Sequence, residues 1–209
     1  MPIITSIKPQ KNGKRVNIYL DDKFSFGLDL DNFVLSGLKA GDELSKIEVG
    51  DMINKAEYKK ISDKLLRFSV LRPRSEKEIN NWLQKYKIPL SFQKKLIVKL
   101  KKLDLINDEK FAKWWIEQRL QFRYKSKREL VFELKMKGVD KDIVARVIGE
   151  LVNSGNEDVM AEKLLKKKEY RWNKLPSYEK KTKMKEYLAR KGFAWDTIKK
   201  VVDTIAHSE

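Results

Sequence analysis

Residues 107–151 read NDEKFAKWWIEQRLQFRYKSKRELVFELKMKGVDKDIVARVIGEL. Apolar side chains recur in this stretch at three- and four-residue intervals, the spacing that lines one face of a helix. Phe111, Ala112, Trp115, Ile116 and Leu120 make a first stripe, Leu130, Val131 and Leu134 a second, and Ile143, Val144, Val147, Ile148 and Leu151 a third. Residue types that start and stop helices stand between the stripes. Asn107-Asp108 can accept the free N–H groups of a first turn, Lys125-Ser126 restarts the chain, Gly138 offers a left-handed end, and Asp140 caps the third helix. The stretch therefore predicts a three-helix unit.

The same pattern lies on both sides of it. Leu134-Lys135-Met136-Lys137-Gly138-Val139 matches Leu188-Ala189-Arg190-Lys191-Gly192-Phe193, and more loosely Leu83-Gln84-Lys85-Tyr86-Lys87-Ile88. The leading leucines are 51 and 54 residues apart, and a further apolar pair stands at one fixed distance beyond each motif: Leu96-Ile97, Val147-Ile148 and Val201-Val202. Self-similarity at a near-constant period signals stacked supersecondary units. The expected fold is mainly α, three tandem three-helix repeats in an elongated array, over residues 46–106, 107–152 and 153–209. Tyr58, Ile61, Leu65 and Phe68 are expected inward in the first repeat, then Ile79, Trp82, Leu83 and Tyr86, and then Leu96, Ile97, Leu100 and Leu103. Ser75 to Glu78 and Ser45 to Glu48 each fit a capping box. In the third repeat Val159, Leu164, Leu165, Met184, Tyr187 and Leu188 are expected inward, after a polar linker, residues 153–156.

Residues 1–45 differ in kind. Val16, Ile18 and Leu20 alternate onto one face, as do Phe24, Phe26 and Leu28, so three short strands are expected at residues 3–8, 15–20 and 23–28. Asn12-Gly13 and Asp21-Asp22 suit tight hairpin turns. Residues 29–37 fit a short helix closed by Gly37. This is a small β-rich module that needs a helix to lean on.

Charge divides the chain in the same way. Residues 1–54 hold seven Lys/Arg against eight Asp/Glu, while the remainder holds 40 against 22, so the formal net charge of +17 belongs to the helical part. An excess on that scale predicts a polyanionic partner, with nucleic acid first; a lysine-rich solvated surface is the plain alternative. The chain has no cysteine and one histidine, His207, best read as a solvated tail residue. Disulfides, thiol nucleophiles and Cys-ligated zinc are excluded. No phosphate loop, GxSxG or HExxH motif is present, so no catalysis, metal or cofactor is expected. Nothing resembles a signal peptide or a membrane span, and a cytoplasmic monomer is expected.

The charge also points to candidate contact residues. Arg72, Arg74, Lys85, Lys94, Lys95, Arg123, Lys125, Lys127, Arg128, Lys135, Lys137, Lys166 and Lys167 recur at equivalent places in successive repeats, which would align them into a basic stripe for a filamentous polyanion. Two more residues break the stripe of residues 108–122. Arg119 projects into its centre, either as an ion pair with Glu133 or Glu129 or as the lining of a partner groove. Trp114 points away from it, either as packing between repeats or as an exposed anchor.

Three runs in order carry a family resemblance: Arg72-Pro73-Arg74-Ser75-Glu76-Lys77-Glu78-Ile79, then Leu105-Ile106-Asn107-Asp108-Glu109-Lys110-Phe111-Ala112, then Glu133 to Val139. With Tyr19 to Gly27 and Gly37 to Ser45 before them, they resemble the RecX family of recombination regulators over nearly the whole chain. The pattern departs from the family at Lys87 and at Tyr124-Lys125-Ser126, where a glycine is usual. The resemblance implies a protein that binds the RecA filament on DNA and suppresses RecA's ATPase and strand exchange. Two other readings of the residues stay open: a DNA-binding helical repeat without a RecA target, and a helical adaptor for acidic protein partners.

Overall fold

The computed structural model describes residues 1–11 and 13–206; the turn residue Asn12 and the tail residue His207 lie outside the described residues. The alternating N-terminal pattern forms an antiparallel meander, β1 (Ile4–Pro9), β2 (Arg15–Leu20) and β3 (Lys23–Asp29), in sheet order β1-β2-β3. Asp21 and Asp22 turn β2 into β3 with φ of 46° and 63°, the two positive values that a right-twisting hairpin requires. Val16, Ile18, Leu20, Phe26 and Leu28 are buried as expected, but Phe24 is exposed. The register shifts between Ile18 and Tyr19, so Phe24 pairs with Tyr19 and packs edge-on against its ring at 6.0 Å. A bulge of this kind re-aims the side chains beyond it.

Asp29 caps the short helix α1 (Leu30–Ser36), and Gly37 ends it at φ 64°. The Ser45 capping box is complete: the Glu48 carboxylate accepts the Ser45 N–H at 2.8 Å and the Ser45 hydroxyl accepts the Glu48 N–H at 3.2 Å. It opens the long helix α2 (Lys46–Val70), whose Val49, Met52, Ile53 and Ala56 pack on the sheet's core. Two compact units result, Met1–Phe68 and Ser69–Glu209.

Among the described residues the second unit holds eight helices, α3 (Glu76–Lys85), α4 (Leu90–Lys102), α5 (Asp108–Phe122), α6 (Lys127–Met136), α7 (Lys141–Leu151), α8 (Ser154–Lys168), α9 (Ser177–Arg190) and α10 (Trp195–Ala206), with one 3₁₀ turn, Glu169–Arg171. Counted along the chain with α2, they make three successive three-helix sets. The α5–α7 set and the α8–α10 set bury matching side chains. Phe111, Ala112, Ile116, Leu130, Leu134, Val139, Val147 and Ile148 correspond to Met160, Ala161, Leu165, Met184, Leu188, Phe193, Val201 and Val202. Each large side chain so buried is worth about 1.5–3 kcal/mol, and each set closes a small core of its own.

Several expectations need correction. Residues 153–156 are no linker: Asn153 accepts the Asn156 N–H at 2.8 Å and is the cap of α8. Polar side chains at that point serve the first turn of a helix instead of a flexible spacer. Val159 is exposed while its neighbours Met160 and Ala161 are buried, which shifts the inward face of α8 by one residue. Leu103 lies past the end of α4 and is exposed. Trp172, unnoticed in the sequence pattern, fills the third core instead. The Ser75 box is only half made, since the hydroxyl accepts the Glu78 N–H at 3.2 Å but the Glu78 carboxylate is engaged elsewhere.

Candidate functional site

The basic residues sort themselves by what the joints between repeats demand. At each joint the middle helix of one set begins where the middle helix of the next set ends. The Ser75 hydroxyl, fully buried, donates to the Lys137 carbonyl at 2.8 Å, and the Ser126 hydroxyl, equally buried, donates to the Lys191 carbonyl at 2.7 Å. Each serine also accepts an N–H of its own first turn at 3.2 Å, from Glu78 and Glu129. One residue further on, the Glu76 N–H donates to the Asp108 carboxylate at 2.8 Å and the Lys127 N–H to that of Glu157 at 2.9 Å. The free N–H groups of one helix are thus satisfied by the next set, and a positive helix end meets a negative one. Gly138 and Gly192, at φ 80° and 77°, come directly after the accepting carbonyls. A Cβ on Gly138 would stand 2.7 Å from Lys77 Cβ, so the approach there admits glycine alone.

Around the first joint runs a network of charge. Arg72 holds Glu78 through both guanidinium nitrogens, at 2.8 and 3.1 Å, and Lys137 binds the same carboxylate at 2.8 Å. Arg74 stands 3.9 Å away. Lys137 also lies over the Trp115 ring, 4.7 Å from its centroid, and the Arg119 guanidinium covers that ring at 4.0 Å. Arg119 Nε and Trp115 Nε1 both donate to Glu133, at 2.7 and 2.8 Å, and Lys125 approaches Glu133 at 3.5 Å and Glu129 at 3.3 Å. Burial alone would raise Glu78 and Glu133. The hydrogen bonds and charges of Arg72 and Lys137 on the one, and of Arg119, Trp115 and Lys125 on the other, outweigh it and hold both below the usual carboxylate value of 4.5. Asp108 goes the other way: burial, helped by the nearby Glu76, raises its carboxyl.

Arg119 is therefore an ion-pair residue with Glu133 as its partner, and Trp114, half-buried, packs against Phe111 and under Arg72 of the preceding set at 5.1 Å. The structure brings Arg72, Arg74 and Lys137 together on Glu78, and Arg119 and Lys125 together on Glu133. It leaves Lys85, Lys94, Lys95, Arg123, Lys127, Arg128, Lys135 and Lys167 exposed with no ion pair among the described residues, while exposed Lys166 is paired with Glu162 at 2.6 Å. Glu133 is a partner that the sequence offers for Arg119, whereas the sequence shows Glu78 only as a cap residue, and its role as the shared partner of Arg72 and Lys137 was missed. Sequence reasoning also missed Phe132 and Met136, which lie off the Leu130–Leu134 stripe and are 64% and 61% exposed; a helical wheel of α6 would have shown them.

Comparison with known proteins bears on this arrangement. Family models described as the regulatory protein RecX N-terminal domain, the second RecX three-helix domain and the third match residues 2–45, 107–148 and 156–202. The chain is 34% identical to a protein of Bacillus licheniformis named Regulatory protein RecX, over 95% of this chain and 75% of that one. It is likewise 34% identical to the Bacillus subtilis protein of the same name, over 99% and 78%. The chain belongs to the RecX family. A crystal structure titled regulatory protein RecX has the same fold, with a TM-score of 0.70 at 23% identity, covering 97% of this chain and 100% of that one. The RecX relatives are named as regulators. Among the described residues no helix is long and apolar enough to cross a membrane.

Proposed function

We propose that this chain binds the filament that the bacterial recombinase RecA forms on single-stranded DNA and suppresses its ATPase and strand exchange. It performs no catalysis of its own and acts as a monomer in the cytoplasm, where that filament assembles. Membership of the RecX family supports the reading. The observation that carries it is the division of the cations: those at the first joint are held by carboxylates, whereas Lys85, Lys94, Lys95, Arg123, Lys127, Arg128, Lys135 and Lys167 are left for an outside anion. Lysine and arginine without internal ion pairs exchange water and counterions for phosphates or acidic side chains at little cost. Inhibition is then steric and electrostatic: the helical repeats lie against RecA and DNA and obstruct pairing and filament growth.

Co-sedimentation with preformed RecA filaments and with bare single-stranded DNA tests this. The reading expects filament binding well above bare-DNA binding, weakening as salt rises. Equal affinity for both would make the chain a general DNA-binding protein, and no salt dependence would remove the electrostatic part.

A further inference from the structure

The outward face of α6 carries a feature that neither the joints nor the cores explain. Phe132 and Met136 lie one helical turn apart and are 64% and 61% exposed, on a helix whose opposite side buries Leu130 and Leu134 completely. The neighbouring repeats act as internal controls. Asn81 and Lys85 hold the same two positions on α3, and Glu186 and Arg190 hold them on α9, all four exposed. The middle helix of a repeat therefore folds with polar side chains there, and the apolar pair on α6 is not required by the fold. Arg128 precedes Phe132 by one turn and Lys135 lies three residues beyond it; with Lys127 they are exposed and without ion pairs among the described residues.

We infer that this face is the protein-reading surface of the molecule: Phe132 and Met136 enter an apolar groove on the recombinase, and Lys127, Arg128 and Lys135 meet carboxylates at its rim. The inference rests on the proposed RecA function and assigns its anchor. Charge complementarity selects an acidic partner. The apolar pair selects protein over nucleic acid, because an aromatic ring alone would serve to stack a base. A flexible thioether one turn further on adds nothing to stacking, whereas two large apolar side chains at i and i+4 are how a helix docks into a groove. Exposed anchors of this type, ringed by charge, carry a large share of binding energy when buried at an interface.

The test replaces both residues by those that α3 uses, Phe132→Asn with Met136→Lys, and measures unfolding temperature and affinity for RecA filaments and for bare single-stranded DNA. The expected result is an unchanged unfolding temperature, filament binding weaker by about 30-fold, and bare-DNA binding undiminished, since the change adds a positive charge. Filament binding within about twofold of the unsubstituted chain overturns the inference and leaves the RecA reading standing. A matching loss on bare DNA overturns it in favour of a nucleic-acid surface. Failure of the unsubstituted chain to bind filaments removes both. If the double variant unfolds, Phe132→Ala decides by the same two affinities.

Discussion

The two joints of the second unit are built on one plan and finished differently. In both, a buried serine bonds the end of the next middle helix and a carboxylate from the next set takes the N–H one residue on. At the first joint the glutamate at the third helical position, Glu78, is gripped by Arg72 and Lys137. At the second, the equivalent Glu129 is paired among the described residues with Lys125, 3.3 Å from its Oε2, an oxygen that is buried without a hydrogen bond. Tyr187 stands where the first joint has Glu133, Lys191 lies over its ring at 6.0 Å, and Arg123, the counterpart of Arg72, is exposed. The backbone joint comes from the repeat itself; the network of several cations on one carboxylate is an addition that, among the described residues, the first joint has and the second lacks. Cations that hold the protein together are thus distinct from cations left exposed to a partner.

The largest expected difference comes from the glycines. Gly138→Ala should cost about 3 kcal/mol, from a positive φ and a Cβ forced against Lys77. Gly192→Ala should cost about 1–2 kcal/mol, mostly from φ, because the nearest atoms are the Ser126 hydroxyl at 3.2 Å and Arg128 Cδ at 3.4 Å. Urea unfolding of both variants checks this, and equal losses would mean that the joints are equally tight. Next come the glutamates. Glu78→Gln should destabilise by about 2 kcal/mol, because three cations lose their common partner, and Glu129→Gln by less than about 0.5 kcal/mol. If the order reverses, the charge network is not what distinguishes the first joint.

Acid titration sharpens the same contrast. Glu78 and Glu133 are held below their usual value of 4.5 in the folded chain, so the stability they contribute is present above that pH and is lost as pH falls below it. Stability measured from about pH 6 downward should fall more steeply in the natural chain than in Glu78→Gln. Parallel curves would contradict the assignment. A small effect of opposite sign is expected at Lys87, which takes φ 50° where its counterparts are Gly138 and Gly192. Lys87→Gly should relieve that conformation and gain about 0.5–1 kcal/mol, read as a higher urea midpoint.

What was legible in the sequence was whatever a short-range pattern specifies. The stripe of Leu130 and Leu134, the Gly138 end and the Asn107 and Asp140 caps lie within a few residues of what they control, and the structure has them all. Lys87 and Tyr124, where the family's glycines are missing, keep the left-handed backbone, at φ 50° each. Some failures came where a residue's partner is distant, others where one side-chain type serves two purposes. Ser75 and Ser126 announce themselves as caps, but their second bonds cross 62 and 65 residues. Polarity at residues 153–156 suggested a linker because the same side chains serve a spacer and a cap. A lysine count could not tell Lys137, drawn to Glu78, from Lys135, two residues away and outside any ion pair among the described residues.

That last distinction is also the centre of the functional account, and RecA's ATPase on single-stranded DNA tests it most directly. The natural chain should suppress ATP hydrolysis at substoichiometric amounts. A variant with Arg123, Lys127, Arg128 and Lys135 all changed to alanine should stay folded and need at least about tenfold more protein for the same effect. Full inhibition by that variant, or no inhibition by the natural chain, would contradict the account.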